Sequence, residues 1–209
     1  MGVGVRDPVL KTVPIGEIRP TQMTVGLREV AEKARLWESL SDHQEPEFLG
    51  RHMAPTILGP RRRHYLVDHH HLVRALHEKG VDSVVVTVIA DLSWLKKDVF
   101  WTVLDNRSWC HPYDAGGRRC AFSAIPKTIM GLVDDPYRSL AGELRRAGGF
   151  AKDTTPFSEF LWADFLRRKV KAALVRDDFG SALTRALALA KQHEARYLPG
   201  WCGPDPTAD

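Results

Sequence analysis

A strand pattern that runs directly into an acid and three histidines, and from there into a helix, constrains this chain more than any other feature. His64 to Val67 reads as a short strand. Asp68-His69-His70-His71 follows without a spacer, and Leu72 to Lys79 fits a short helix that stops at Gly80. A strand-to-helix turn points the unpaired amides of the helix N-terminus outward, where they favour negative charge. Imidazoles at that place add groups that titrate near neutrality. The turn is therefore the candidate active or ligand site.

The flanking segments predict a mixed fold. Val9 to Ile18 reads as a strand with a Pro14-Ile15-Gly16 turn, ending at Arg19-Pro20-Thr21-Gln22. Leu27 to Leu40 fits a helix with Leu27, Val30, Ala31, Ala34, Trp37 and Leu40 on one stripe. A polar, proline-broken loop is expected from Ser41 to Pro55. Thr56 to Leu58, the Gly59-Pro60 turn and Arg63 to Val67 read as a hairpin. Ser83 to Ile89 is a β-branched run and the best candidate for a central strand.

Beyond Asp91 the patterns are helical: Ser93 to Asn106 with Leu95, Val99, Val103 and Leu104 inward, Asp135-Pro136 to Ala147, a helix after Thr155-Pro156, and Asp178 to Glu194. Trp37, Trp94, Trp101 and Trp162 are expected in the core. The fold class is α/β (α+β), with a mixed α/β part at 1–92, a helical part at 93–198 packed on it, and a loose tail at 199–209.

With 209 residues, 44% hydrophobic and 27% charged, the chain has the composition of a globular protein. The net charge of +4 is a weak pointer to nucleic acid. Arg61-Arg62-Arg63, Arg145-Arg146 and Arg167-Arg168-Lys169 fit phosphate contacts and solvated turns equally well. Cys110, Cys120 and Cys202 lack C-x-x-C spacing, which argues against a disulfide framework and a zinc cluster. No apolar run approaches the ~18 residues of a membrane span, and no signal core precedes Val9. A cytoplasmic protein without a membrane partner is the expectation.

Three readings of the turn stay open. In the first, the amides of residues 69 to 72 hold a phosphate oxyanion, a histidine donates to it, Asp68 acts as base or orients an imidazole, and Arg74 adds charge. In the second, Asp68, His69 and His71 ligate a metal with His111 or Asp114 as a further ligand. In the third, the histidines only cap the helix. A second constellation, Trp109-Cys110-His111-Pro112-Tyr113-Asp114 with Gly116, Gly117, Arg118 and Arg119, has the makings of a lid; His111, Asp114 and Arg118 are its candidate residues.

The order Ile18-Arg19-Pro20-Thr21-Gln22, helix, hairpin, then Leu66-Val67-Asp68-His69-His70-His71-Leu72-Val73-Arg74-Ala75-Leu76 resembles the ParB/sulfiredoxin superfamily. Arg-Pro-Thr-Gln-x-x-Val-Gly, Asp-His-His-His and Asp-Pro-Tyr-Arg-Ser-Leu are closer to the small "putative ParB-like nuclease" family, over about residues 10–170. The resemblance implies a small mixed sheet whose histidine turn binds nucleotide phosphates. It implies ATP, ADP or CTP as ligand, with Mg²⁺ as companion ion.

Asp68 then matches the motif acid, His70 the motif histidine and His71 the next, variable place, so these three are the candidate catalytic residues. Thr21 and Gln22 come to lie beside the turn. Leu72 stands where many relatives have a phosphate-binding arginine, which leaves Arg74, Lys33 or a basic loop residue to substitute. Asp-His-His also occurs in DHH-class phosphoesterases, but those need an Asp-x-Asp upstream, and none precedes residue 68. Two functions follow from the resemblance. One is an enzyme of phosphodiester hydrolysis or phosphoryl transfer. The other is a nucleotide- or DNA-binding regulator without turnover.

Overall fold

The computed structural model describes residues 9–40 and 44–204. The first strand, β1 (Val9–Pro14), enters a short 3-10 turn at Ile15–Glu17 and continues into β2 (Arg19–Pro20) and β3 (Thr24–Val25). Helix α1 (Leu27–Glu38) and helix α2 (Glu45–Arg51) follow, then β4 (Ala54–Gly59) and β5 (Arg63–Leu66). Helix α3 (His70–Glu78), β6 (Ser83–Asp91) and α4 (Lys97–Asn106) come next. After β7 (Val133–Asp134) the chain is helical: α5 (Pro136–Arg146), α6 (Ser158–Lys169), α7 (Ala172–Asp177) and α8 (Phe179–Ala190).

The fold is thus mixed α/β with a helical C-terminal part. The main sheet has the order β1-β6-β4-β5-β2, and β3 pairs β7 in a separate ribbon. Within the main sheet β1–β6 and β4–β5 are antiparallel, while β4–β6 and β2–β5 are parallel. The β-branched run is internal in the sheet, as expected of residues that pack well on both faces of a pleat. Gly59 ends β4 where no side chain fits: a Cβ there would lie 2.5 Å from the Tyr65 ring and 2.7 Å from Phe100.

The described residues divide into two compact units, one of residues 9–24, 30–40, 44–114 and 118–133, the other of 25–29, 115–117 and 134–204. Helix α4 belongs to the first of these units. Its Phe100, Trp101 and Leu104 share a buried cluster with Ile57, Tyr65, Cys110 and Ile125. Tyr65 sits 4.6 Å from Phe100 and 5.6 Å from Trp101, ring to ring. The second unit has its own core, in which Trp162 is fully buried and stacks on Phe150 at 4.4 Å.

Several local expectations are corrected. Trp37, Trp101 and Trp162 are buried, but Trp94 is 78% exposed. The helix begins at Lys97, three residues beyond Trp94, so the periodicity from Ser93 does not apply to it, and Val99 faces solvent as well. Part of the loop from Ser41 to Pro55 is helix α2, whose Phe48 packs edge-on to Trp37; residues 41–43 lie outside the described residues. The tail is anchored as far as it is described. The Trp162 indole donates to the Pro199 carbonyl at 2.8 Å, the Trp201 indole to Ala190 at 2.9 Å, and the Ala151 amide to Gly200 at 2.7 Å. Among the described residues no helix is long and apolar enough to cross a membrane.

Candidate functional site

The turn is built where β5 ends and α3 begins. Leu66 is fully buried in β5, and Val67 is tied back by its amide to the Pro55 carbonyl at 2.9 Å. Asp68 is exposed, and its Oδ1 accepts the His69 amide at 2.6 Å. His69 then takes left-handed backbone (φ 66°, ψ 23°) and serves as the N-cap of α3. A non-glycine residue in that region is strained, a state that persists only where the surroundings enforce it. Glycine would adopt this backbone without the steric cost that His69 bears.

His70 is the anchor of the site. It is 2% exposed, and its Nε2 accepts the Thr21 amide at 3.2 Å. An imidazole nitrogen that accepts from an amide carries no proton, so His70 is neutral with its proton on Nδ1. Burial, helped by the neighbouring His71 and His69, pushes its pKa down to about 3, with the Leu66 carbonyl pulling the other way. Thr21 is a hub: its Oγ1 donates to the Leu66 carbonyl at 2.7 Å and its own carbonyl accepts the His111 amide at 2.9 Å. Beside it the Gln22 side chain is buried and donates to the Thr24 carbonyl at 2.7 Å.

The other expected residues divide into those at the turn and those committed elsewhere. His71 is buried next to His70, and Leu72 is core, so the place of the arginine of relatives is filled by packing. The Arg74 guanidinium is engaged away from the turn: Nη1 donates to the carbonyls of Ile129, Met130 and Leu132 at 3.2, 3.0 and 3.2 Å, and Nε pairs with Glu78 at 2.6 Å. Arg74 thus pins the 129–132 turn to α3. Lys33 is carried on α1, while the contacts that hold the turn run to Thr21, Leu66 and, through Thr21, to His111.

The Trp109–Arg119 segment is a small hairpin, with Asp114 and Arg118 paired through backbone and side chains. The Asp114 carboxylate accepts from the Arg118 amide at 2.9 Å and from Nε at 3.0 Å. His111 forms a parallel bridge to Gln22 and stacks on Tyr113 at 4.5 Å. The hairpin therefore places His111 beside the Thr21–Gln22 segment, and Asp114 and Arg118 at its turn. Cys110 is buried, and burial with Asp105 nearby pushes its thiol up to about 12, which removes it as a nucleophile at neutral pH.

One atom of the turn lacks a partner among the described residues. The His69 Nδ1 is buried and makes no hydrogen bond. Among the described residues no group of three or more His, Cys, Asp and Glu side chains is placed to hold a metal ion.

What sequence reasoning missed is the pairing of His70 with a backbone amide. Its signal was the spacing: His70 lies three and six residues before Val73 and Leu76, on the buried face of α3.

No curated protein matches this chain. Among solved structures it is similar to protein Atu1540 from Agrobacterium tumefaciens, with a TM-score of 0.91 and 50% identity over 96% of this chain and 100% of that one. The family model described as "Putative ParB-like nuclease" matches residues 11–168. The matched range contains the strand, the histidine turn and helix α3, and the chain belongs to the ParB-like nuclease family.

Proposed function

We propose that this protein binds a nucleotide or another phosphate ester at the Asp68–His71 turn and acts on it by phosphodiester hydrolysis or phosphoryl transfer. The observation that carries the reading is the start of α3, where the N-cap His69 takes left-handed backbone and gives no side-chain hydrogen bond to the first amides of the helix. Such amides and the helix dipole favour a phosphate oxygen lying over the helix N-terminus.

Asp68 is the exposed carboxylate of the turn. It is the group to activate a nucleophile, or to meet a Mg²⁺ ion carried in with the phosphates, which binds through one or two carboxylates plus substrate oxygens. His71 is the candidate proton donor, and His111 the second imidazole beside Thr21. His70 has a positioning role in this reading, because the buried neutral ring already accepts from the Thr21 amide at Nε2 and is hydrogen-bonded to the Leu66 backbone, which leaves neither ring nitrogen free for proton exchange. The family description as a ParB-like nuclease agrees with phosphodiester chemistry.

Melting temperature and product release are to be followed together against ATP, ADP, CTP and short oligonucleotides, each with and without Mg²⁺. Ligand at about 100 times its Kd adds ~2.7 kcal/mol, a shift of roughly 5–10 °C for a small unit of this kind. Asp68→Asn is expected to keep that shift and lose product. If none of the ligands moves the melting curve, the phosphate reading fails. A second reading, binding without turnover, is favoured by the engagement of Arg74 and the neutrality of His70. It predicts the shift with no product from the wild-type protein over long incubation.

A further inference from the structure

The β4–β5 hairpin carries a second feature, at the opposite end of β5 from the histidine turn. Its three-residue turn is Pro60-Arg61-Arg62, and Arg63 opens β5. Arg61 and Arg62 both take positive φ, 62° and 54°. Hairpin turns of this conformation are cheapest with glycine or asparagine. Two consecutive side-chain-bearing residues there are strained, so the fold itself does not explain the arginines.

Around them the chain collects further positive charge. One cavity of about 330 Å³ is lined by Gly16, Glu17, Arg19, Arg61, Arg62, Arg63 and His64. A second, of about 490 Å³, shares Arg19, Arg61 and Arg63 and adds Lys97 and Lys127. The shared arginines make one continuous groove. Six cations from four segments face a single carboxylate, Glu17, although the whole chain has 30 basic and 26 acidic residues. Arg61, Arg62, Arg63, Lys97 and Lys127 are exposed, and none of these side chains is held by an ion pair among the described residues. Arg19 alone is tethered, by donating to the Lys127 carbonyl at 2.8 Å.

We infer that this groove is a docking surface for the sugar-phosphate backbone of a nucleic acid. The character of the donors selects this class over a small anion. A free phosphate or nucleotide site needs enclosed donors that replace its hydration, whereas no cation here is buried. A row of exposed cations with no carboxylate paired to them matches a polymer of regularly spaced phosphates, where counterion release supplies the affinity. Such contacts position a strand without reading its sequence. The inference goes beyond the histidine turn and does not depend on its chemistry. It does narrow the substrate of that turn to a polymer, since β2 and β5 carry the cations at their starts and Thr21 and Asp68 just beyond their ends.

The test is binding of a labelled DNA duplex to the full chain, followed by fluorescence anisotropy over a series of salt concentrations. The wild-type protein is expected to bind with an affinity that falls steeply with salt. Arg61→Gly/Arg62→Asn/Arg63→Gln is expected to weaken binding roughly tenfold or more and to flatten the slope of log K against log salt by roughly 2–3, about 0.9 per lost phosphate contact. Arg35→Gln with Arg176→Gln removes exposed charge elsewhere and is expected to change little.

The triple variant places glycine and asparagine where φ is positive, so its melting temperature should stay level or rise, which separates lost docking from lost folding. It should also keep the nucleotide-induced melting shift, so the two proposals fail separately. Absence of duplex binding at low salt, an unchanged slope in the triple variant, equal competition by orthophosphate, or equal binding of polyglutamate would each overturn the inference.

Discussion

Arg167→Ala is expected to destabilise the protein by about 3–5 kcal/mol, the usual cost of leaving one member of a buried ion pair without the other. The Asp135 side chain is 2% exposed, and the Arg167 guanidinium meets its Oδ2 at 2.7 Å while also pairing with Asp164. Asp135 is at the same time the N-cap of α5, accepting the Tyr137 amide at 3.0 Å. Burial pushes the Asp135 carboxyl up, and Arg167 is the main group pulling against it.

Without the arginine that pull is gone and the folded-state pKa rises further. A carboxyl whose folded pKa lies above its unfolded value binds protons more tightly in the native state, so stability falls as pH rises through that window. The deficit of Arg167→Ala should therefore be largest near neutrality and shrink as the pH is lowered toward the carboxylate range. Urea unfolding of both proteins across that range checks it. A loss under about 1 kcal/mol, or one that grows on acidification, contradicts the assignment.

His70→Ala should be nearly as damaging, with a loss of about 2–4 kcal/mol from the cavity and from the Thr21 amide left buried without an acceptor. From sequence His70 is a candidate catalytic residue, and its burial and its hydrogen bond to the Thr21 amide give it a structural part as well. The pH dependence has a definite sign. A histidine with a folded pKa of about 3 and an ordinary unfolded value near 6.5 binds its proton only in the unfolded chain between those limits. Stability is then fully present above pH ~6.5 and drains away as pH falls toward 3. His70→Gln keeps an acceptor toward Thr21 and cannot titrate, so its acid slope should be shallower than that of the wild-type protein. An identical slope would show that His70 is protonated or solvated in the native state.

These two results differ in how far the sequence announced them. Asp135-Pro136 advertised a helix start, and the N-cap is there, but nothing local says that a residue 32 positions away supplies the counter-charge. The main sheet was legible because β1, β4, β5 and β6 are short apolar or β-branched runs bounded by proline, glycine or polar turns. Their order was not, because β6 inserts between β1 and β4 through long-range pairing. Helix α2 was hidden by Pro46, which reads as a breaker but sits at the start of the helix, where its missing amide costs nothing.

At the site itself, the place was legible and the division of labour was not. Asp68, His69, His70 and His71 look equivalent in a string of letters. The left-handed backbone at His69 and the start of α3 send Asp68 to solvent and His70 into the core. Arg74 reads in the sequence as added charge for the turn, yet three carbonyls of the 129–132 turn occupy it. Pairings of that kind join segments 49 to 58 residues apart, and a periodicity argument does not reach them.

In the proposed function the Asp68–His71 turn, together with Thr21 and Gln22, takes the phosphate. Residue-resolved amide shifts during titration with CTP and with ATP, in the presence of Mg²⁺, test it most directly. The account predicts the largest, saturating changes at His69, His70, His71 and Leu72 and at Thr21 and Gln22, with matching perturbation at His111. Saturating shifts confined to other parts of the chain, or no shifts at millimolar nucleotide, would contradict it.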